Sequence, residues 1–240
     1  MFYRMEVLPL ERERSGEIAT SIRLLKLKYF FEKNNTASLL NIKQMAKNID
    51  SLGIIPARFG STRFPGKPLA DIGGQSMIRR VVGQVVRSSL SEVIVATDDD
   101  RIFRHVEASN NRVTMTSPFH KSGTGRCAEV AAREEFRSVK WVVNIQGDEP
   151  FIQPSQIDHL LSFLKNNSQF DIATPAFPLS DRDQLSDPHI VKTVFDKNNR
   201  ALYFSRSPIP FLKKTTEENK PPNVTFYKHI GIYAFKKEVL

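Results

Sequence analysis

The run Gly53-Ile-Ile-Pro-Ala-Arg-Phe-Gly-Ser-Thr-Arg-Phe-Pro-Gly-Lys-Pro-Leu69 sets three cations, Arg58, Arg63 and Lys67, among residues with small side chains. Gly60, Ser61, Thr62 and Gly66 let backbone N–H groups approach an anion closely, and the cations supply the charge that a triphosphate requires. The loop therefore reads as a polyphosphate cradle, entered through Pro56 and Ala57. Its spacing is neither the G-x-x-x-x-G-K-[ST] of a Walker A loop nor the G-x-G-x-x-G of a dinucleotide fold, so a different nucleotide-binding class is needed.

A second cluster is Asn144-Ile-Gln-Gly-Asp-Glu-Pro150, an acidic pair after a buried apolar run. Asp148 there is a candidate ligand for Mg²⁺, a hard cation that bridges carboxylates to phosphates. A third is Pro118-Phe-His-Lys-Ser-Gly-Thr-Gly-Arg-Cys-Ala-Glu129. Ser122, Gly123 and Thr124 can hydrogen-bond a base or ribose, and Arg126 can reach phosphate or hold the loop. The acidic run Asp98–Asp100 is better explained by helix capping than by metal binding, because an aspartate before Arg101 faces the positive end of the helix dipole. Cys127 shares a helical pattern with Ala128, Ala131 and Ala132 and reads as core.

These residues need a scaffold, and the rest of the sequence supplies an α/β one. From Ser51 onward short apolar runs alternate with helical patterns, the signature of βα units around a largely parallel sheet flanked by helices. Strands are predicted at 52–56, 92–97, 112–116, 141–145 and 171–174. Helices are predicted where Ile78, Val81, Val82 and Val85, and again Ile157, Leu160, Leu161 and Leu164, recur at i, i+3, i+4, i+7, the second with Pro154 near its start. After residue 185 the segments 190–195, 201–204 and 227–235 predict a mixed strand region, and 213–223 reads as an exposed loop. Residues 1–50 stand outside this pattern: charged, glycine-poor and weakly helical, with Ile22, Leu25 and Tyr29 at helical spacing. Three readings stay open: a short helix that packs on the main domain, a basic amphipathic targeting segment, against which Glu6, Glu11, Glu13 and Glu17 argue, or non-native sequence upstream of a natural start at Met45-Ala-Lys-Asn-Ile-Asp50.

Taken in order, P-A-R-x-x-S-T-R-x-P-G-K-P-L, H-x-S-G-T-x-R from His120, N-x-Q-G-D-E-P from Asn144, the Ala201–Pro210 segment and H-x-G-I-Y from His229 resemble the 3-deoxy-manno-octulosonate (Kdo) cytidylyltransferase family. The resemblance covers nearly all of residues 53–235 and departs at Gly125, where relatives commonly carry Glu. It implies a nucleotidyltransferase fold of the glycosyltransferase-A type and transfer of CMP from CTP to Kdo for lipopolysaccharide biosynthesis. It further implies that Arg58, Ser61, Arg63 and Lys67 bind the triphosphate, that Ser122 and Arg126 lie beside the nucleotide, and that Gln146 orients nucleotide or sugar. Arg58, Lys67 and Asp148 would carry the catalysis, with Asp148 holding Mg²⁺. Arg206 would grip the Kdo carboxylate, with His229 and Tyr233 beside the sugar. A homodimer is a family trait. The family's second metal aspartate belongs to a V-D-T-P-x-D-L-like segment beyond Leu240, so on this reading the 51–240 domain is C-terminally incomplete. Two alternatives stay open: a cytidylyltransferase for another sugar acid, of the sialic-acid type, or a truncated nucleotide-binding homologue that is inactive as the 240-residue chain.

Bulk properties narrow the field. The 240 residues are 40% hydrophobic, enough for one sizeable core. A net charge of +9 suits anionic ligands, but the basic residues form no stripe interleaved with aromatics, which argues against nucleic acid. A lone cysteine excludes an internal disulfide framework and fits a reducing, cytoplasmic setting. No apolar run reaches transmembrane length, so no stable membrane insertion is expected.

Overall fold

The computed structural model describes residues 5–9, 49–60, 64–179, 181, 183–211 and 224–240. Ser61 and Arg63 of the cradle, the 213–223 loop and the helical pattern around Ile22 lie outside them. The described elements belong to one unit, formed by Met1–Leu10 and Ile49–Leu240.

Strands β1 (Met5–Pro9), β2 (Ser51–Ala57), β3 (Glu92–Thr97), β4 (Val113–Met115), β5 (Trp141–Asn144), β6 (Ile172–Leu179), β7 (Lys192–Phe195), β8 (Ala201–Ser205), β9 (Phe226–His229) and β10 (Tyr233–Lys236) join in one sheet. Its order is β4-β3-β2-β5-β10-β6-β9-β7-β8, with β1 paired to β6. Strands β4, β3, β2 and β5 run parallel, and β10, β9, β7 and β8 pair antiparallel with their neighbours, so the expected division into parallel and mixed halves is present. Two features depart from expectation. Met5–Pro9, within the stretch read as outside the pattern and weakly helical, is a strand running parallel to Ile172–Ala176. The predicted 227–235 strand is two strands, and the second, β10, inserts antiparallel between β5 and β6, where Ala234 faces Val143 on one side and Ala173 on the other.

Among the described residues four α-helices flank the sheet: α1 (Met77–Val85), α2 (Asp100–Glu107) and α3 (Gly123–Ala131) on the parallel half, and α4 (Pro154–Asn166) on β5, β10 and β6. The two apolar stripes read from the sequence are buried, Ile78/Val81/Val82/Val85 on α1 and Ile157/Leu160/Leu161/Leu164 on α4. The two-residue period of β2 sorts its side chains between layers. Ile55 and Ala57 pack with α1, α2 and α4, while Leu52 and Ile54 pack with Cys127, Val130 and Ala131 of α3. Cys127 is fully buried, and desolvation pushes its thiol well above the usual range, so it is core and not a nucleophile. Asp99 caps α2 as expected, accepting from the Arg101 N–H.

The other aspartate of that run has a different task. Arg126 on α3 has no solvent exposure; its guanidinium donates to Asp98 after β3 and to Thr116 after β4. Of the two roles open to Arg126, the structure shows the one that holds the loop, with a fully buried guanidinium tied to the ends of β3 and β4. Removing one partner of a buried ion pair strands the other charge. Asp98→Ala should therefore destabilise the fold by about 3 kcal/mol or more, read as a shift in the urea midpoint at unchanged slope.

Candidate active site

In the order β4-β3-β2-β5 the chain starts at β2, moves outward through β3 and β4, and returns to the opposite side of β2 as β5. The strand order thus reverses between β2 and β5, and in open α/β sheets ligands bind beyond the carboxyl ends of the strands at such a switch point. There the structure places a cleft of about 220 Å³ lined by Pro56, Ala57, Arg58, Lys67, Pro68, Gly123, Gln146, Gly147 and Asp148. Gly147 is required by a close approach, since a Cβ on it would lie 2.8 Å from the Pro56 carbonyl oxygen.

Six of the residues predicted for the nucleotide or metal meet in this cleft: Pro56, Ala57, Arg58, Lys67, Gln146 and Asp148. Lys67 Nζ donates to Asp148 Oδ2 at 2.6 Å, joining the predicted phosphate cation to the predicted metal carboxylate across the mouth. Arg58 donates to the carbonyls of His120 and Ser122, so it also ties the β2 loop to the start of α3. Ser122 caps α3 by accepting from the Gly125 N–H at 3.1 Å, and Gly123 follows it at the cleft wall. His120 is itself held at 2.5 Å by Glu129. Although Glu149 is reached by solvent, desolvation first and the Asp148 charge second push its carboxyl above the usual range, with Lys67 opposing. The turn after β5 thus carries two adjacent carboxylates whose charges oppose each other.

The cradle is braced by residues that its motif does not reveal. Gly66 N–H donates to the Phe59 carbonyl at 2.8 Å, closing the loop, and Gly66 has φ 71°, the left-handed region open to glycine. The Phe59 ring lies beside Gly66 on one side and under the Arg101 guanidinium on the other, 3.3 Å from the ring centroid. Arg101 is steadied by Asp99. Sequence reading found the helix cap but not this cation–π contact, because only the fold brings residues 59 and 101 together.

The predicted sugar residues sit on the antiparallel half. His229 and Tyr233 have ring centroids 5.3 Å apart, and Phe204 packs edge-on against His229 at 5.0 Å. The turn between β9 and β10 brings Gly231 beside Gln146, within 3.6 Å of the Gln146 side chain for an added Cβ, so these strands adjoin the cleft. Thr174 Oγ1 lies 2.7 Å from the Ile232 carbonyl and 2.8 Å from His229 Nε2. With its single proton donated to Ile232 O, the hydroxyl accepts from His229 Nε2–H, which leaves Nδ1 as the open acceptor. Burial holds His229 down at about 4, keeping it neutral near pH 7. Arg206 is exposed just past the end of β8, and its guanidinium donates to the Pro188 carbonyl at 2.7 Å.

The family model described as cytidylyltransferase matches residues 52–240. A 3-deoxy-manno-octulosonate cytidylyltransferase of Parabacteroides distasonis is 49% identical over 194 residues, 79% of this chain and 76% of its own length. This chain belongs to the 3-deoxy-manno-octulosonate cytidylyltransferase family. The corresponding protein of Nitrosococcus oceani is 42% identical over 191 residues, covering 78% of this chain and 74% of its own. Among solved structures, a CMP:2-keto-3-deoxy-manno-octonic acid synthetase complexed with CTP superposes with a TM-score of 0.70 at 37% identity, over 79% of this chain and 75% of that one. The expected α/β nucleotidyltransferase fold is the fold observed.

Two measurements bear on the site. The Lys67–Asp148 pair is partly exposed, so its removal should cost the fold less than about 1 kcal/mol. Lys67→Met should accordingly leave the melting temperature nearly unchanged while weakening CTP binding about tenfold or more in calorimetry, since a charged contact to phosphate is lost. Equal CTP affinity would remove Lys67 from the site.

His229 supplies a pH test. Its folded value lies below the unfolded one, so the unfolded chain binds the extra proton between about pH 6.5 and 4. Its contribution to stability is complete above pH 6.5 and is lost as pH falls toward 4, by roughly 2–3 kcal/mol. His229→Gln should flatten the stability-versus-pH curve in that window, measured by urea denaturation at stepped pH.

Proposed function

We propose that this chain transfers CMP from CTP to 3-deoxy-D-manno-octulosonate, giving CMP-Kdo and pyrophosphate, for lipopolysaccharide assembly in the cytoplasm, where CTP is at hand. The observation that carries the proposal is the switch-point cleft, where Arg58, Lys67, Gln146 and Asp148 converge beside the α3 N-terminus. Cations for a triphosphate and a carboxylate for a metal meet there at the edge where α/β sheets bind nucleotides. The likeness to a synthetase complexed with CTP points the same way.

In this reading the anomeric hydroxyl of Kdo attacks the α-phosphorus of CTP in line and pyrophosphate leaves. The protein contributes position and charge. Lys67 and Arg58, with Ser61 and Arg63 of the same loop, hold the triphosphate; Gln146 sits between the nucleotide cleft and the β9–β10 turn, and can orient either substrate. Arg206 offers a planar donor fork to the sugar carboxylate, and His229 Nδ1 and the Tyr233 hydroxyl face hydroxyl groups of the acceptor.

The site fits Mg²⁺ of the substrate-bridged kind, which uses one or two carboxylates plus phosphate oxygens. Asp148 is partly exposed at the cleft and Glu149 follows it, whereas the described residues contain no cluster of three ligating side chains that would form an all-protein cage. When bound, Mg²⁺ would neutralise charge on the phosphates. Lys67 donates to Asp148, so binding of the triphosphate would move the lysine from carboxylate to phosphate and free the carboxylate.

The test is pyrophosphate release by the 240-residue chain supplied with CTP, Mg²⁺ and either Kdo or sialic acid. Release that requires Kdo is expected, and Asp148→Asn should lower the rate about 100-fold. Equal release with sialic acid would overturn the acceptor assignment, and CTP binding without release would favour a nucleotide-binding homologue.

A further inference from the structure

Lys192 opens β7 and is fully buried, yet no carboxylate lies within ion-pair distance of it among the described residues. Burying an ammonium without a counter-ion is costly unless its donors are satisfied. Here they are: Lys192 Nζ donates to the carbonyls of Asp187 and Ile190, each at 2.8 Å, and to the carbonyl of Arg206. An ammonium has three N–H donors, so none is left for a ligand. In the sheet, Lys192 pairs with Ser205 of β8 and with Lys228 of β9, which puts the residue after Ser205 within its reach.

The contacts interlock. Lys192 grips residues 187 and 190 of one loop and the backbone of Arg206, while the Arg206 guanidinium reaches back to Pro188, between the two gripped positions. Arg206 uses one terminal nitrogen for that bond and is itself exposed. Neither cation is paired with a carboxylate within ion-pair distance among the described residues, and the exposed end of the clasp is Arg206. Burial and the Arg206 charge pull the Lys192 ammonium down and Asp187 opposes them.

We infer that Lys192 is a positioning residue for the acceptor: it fixes the backbone of Arg206 and the 187–190 loop so that the Arg206 fork is held ready for the carboxylate of a sugar acid. This rests on the proposed role of Arg206. Lys192 touches no substrate. Its charge adds to the field at the carboxylate, and its three hydrogen bonds remove the freedom that the Arg206 segment would otherwise lose on binding.

The full chain, Lys192→Met, Lys192→Gln and Arg206→Ala are compared by amide hydrogen exchange and by calorimetry, titrating CTP, and titrating Kdo into the CTP-bound protein without divalent metal. Lys192→Met should speed exchange at 187–190 and 205–207 while β2, β3 and β5 keep their protection. It should weaken Kdo about tenfold or more and leave CTP within about twofold. Lys192→Gln retains two donors, should fall between parent and Met, and serves if the Met variant does not fold. Unchanged exchange at both segments, or faster exchange with unchanged Kdo affinity, overturns the inference. So does an equal loss of CTP and Kdo, which would mark a general loosening of the fold. If Arg206→Ala binds Kdo like the parent, or the parent does not bind Kdo, the acceptor reading itself fails, and the clasp is then judged a structural device by exchange alone.

Discussion

The contact between Lys67 and Asp148 depends on one constraint, the parallel adjacency of β2 and β5. Eighty-one residues separate the two side chains, and only the register Ser51–Ile54 against Trp141–Asn144 brings the loops after both strands to the same edge. Everything else at the cleft is arranged around that edge. Gly147 lets the second loop lie against the end of β2, and Gly123 lets α3 approach Pro56. Arg58 closes the third side by holding the 120–122 backbone. A cation and a carboxylate held 2.6 Å apart in partial solvent form a weak lock.

Around this mouth the protein uses buried or stacked cations as braces. Arg126 pins α3 to the ends of β3 and β4, Arg101 covers Phe59 beneath the cradle, and Lys192 ties the β7 and β8 ends together. Each is held by carbonyl, hydroxyl, carboxylate or ring, with the buried Nε of Arg126 left without a partner, and each spans separate segments of the chain. The net charge of +9 is therefore not only a field for anionic substrates; part of it holds loops in place.

The antiparallel half meets the cleft through the β9–β10 turn. Ile230–Ile232 interrupt the predicted strand because Thr174 gathers the carbonyls of Ile230 and Ile232 and the His229 ring at one hydroxyl. The interruption sets Gly231 beside Gln146 and sends β10 back between β5 and β6. Small residues at Ala173 and Ala234 sit at that insertion, and the chain so places His229 and Tyr233 on strands that adjoin the switch-point cleft.

The sequence alone determined the local matters. Helical stripes on α1 and α4, the parallel strands, the cap at Asp99 and the core role of Cys127 follow from periodicity and side-chain chemistry, which act over a few residues. Cation spacing in the cradle and the Gly-Asp-Glu-Pro turn singled out Arg58, Lys67, Gln146 and Asp148 for the same reason, and the fold brings all four to one cleft. Tertiary structure decided what depends on distant partners. Arg126 could serve phosphate or scaffold equally well until the fold supplied Asp98 and Thr116, and Lys192 carried no signal at all inside an ordinary strand. Nor could the sequence foretell β10 between β5 and β6 or β1 beside β6, because strand order is set by which edges and faces remain unpaired once the rest of the sheet has formed.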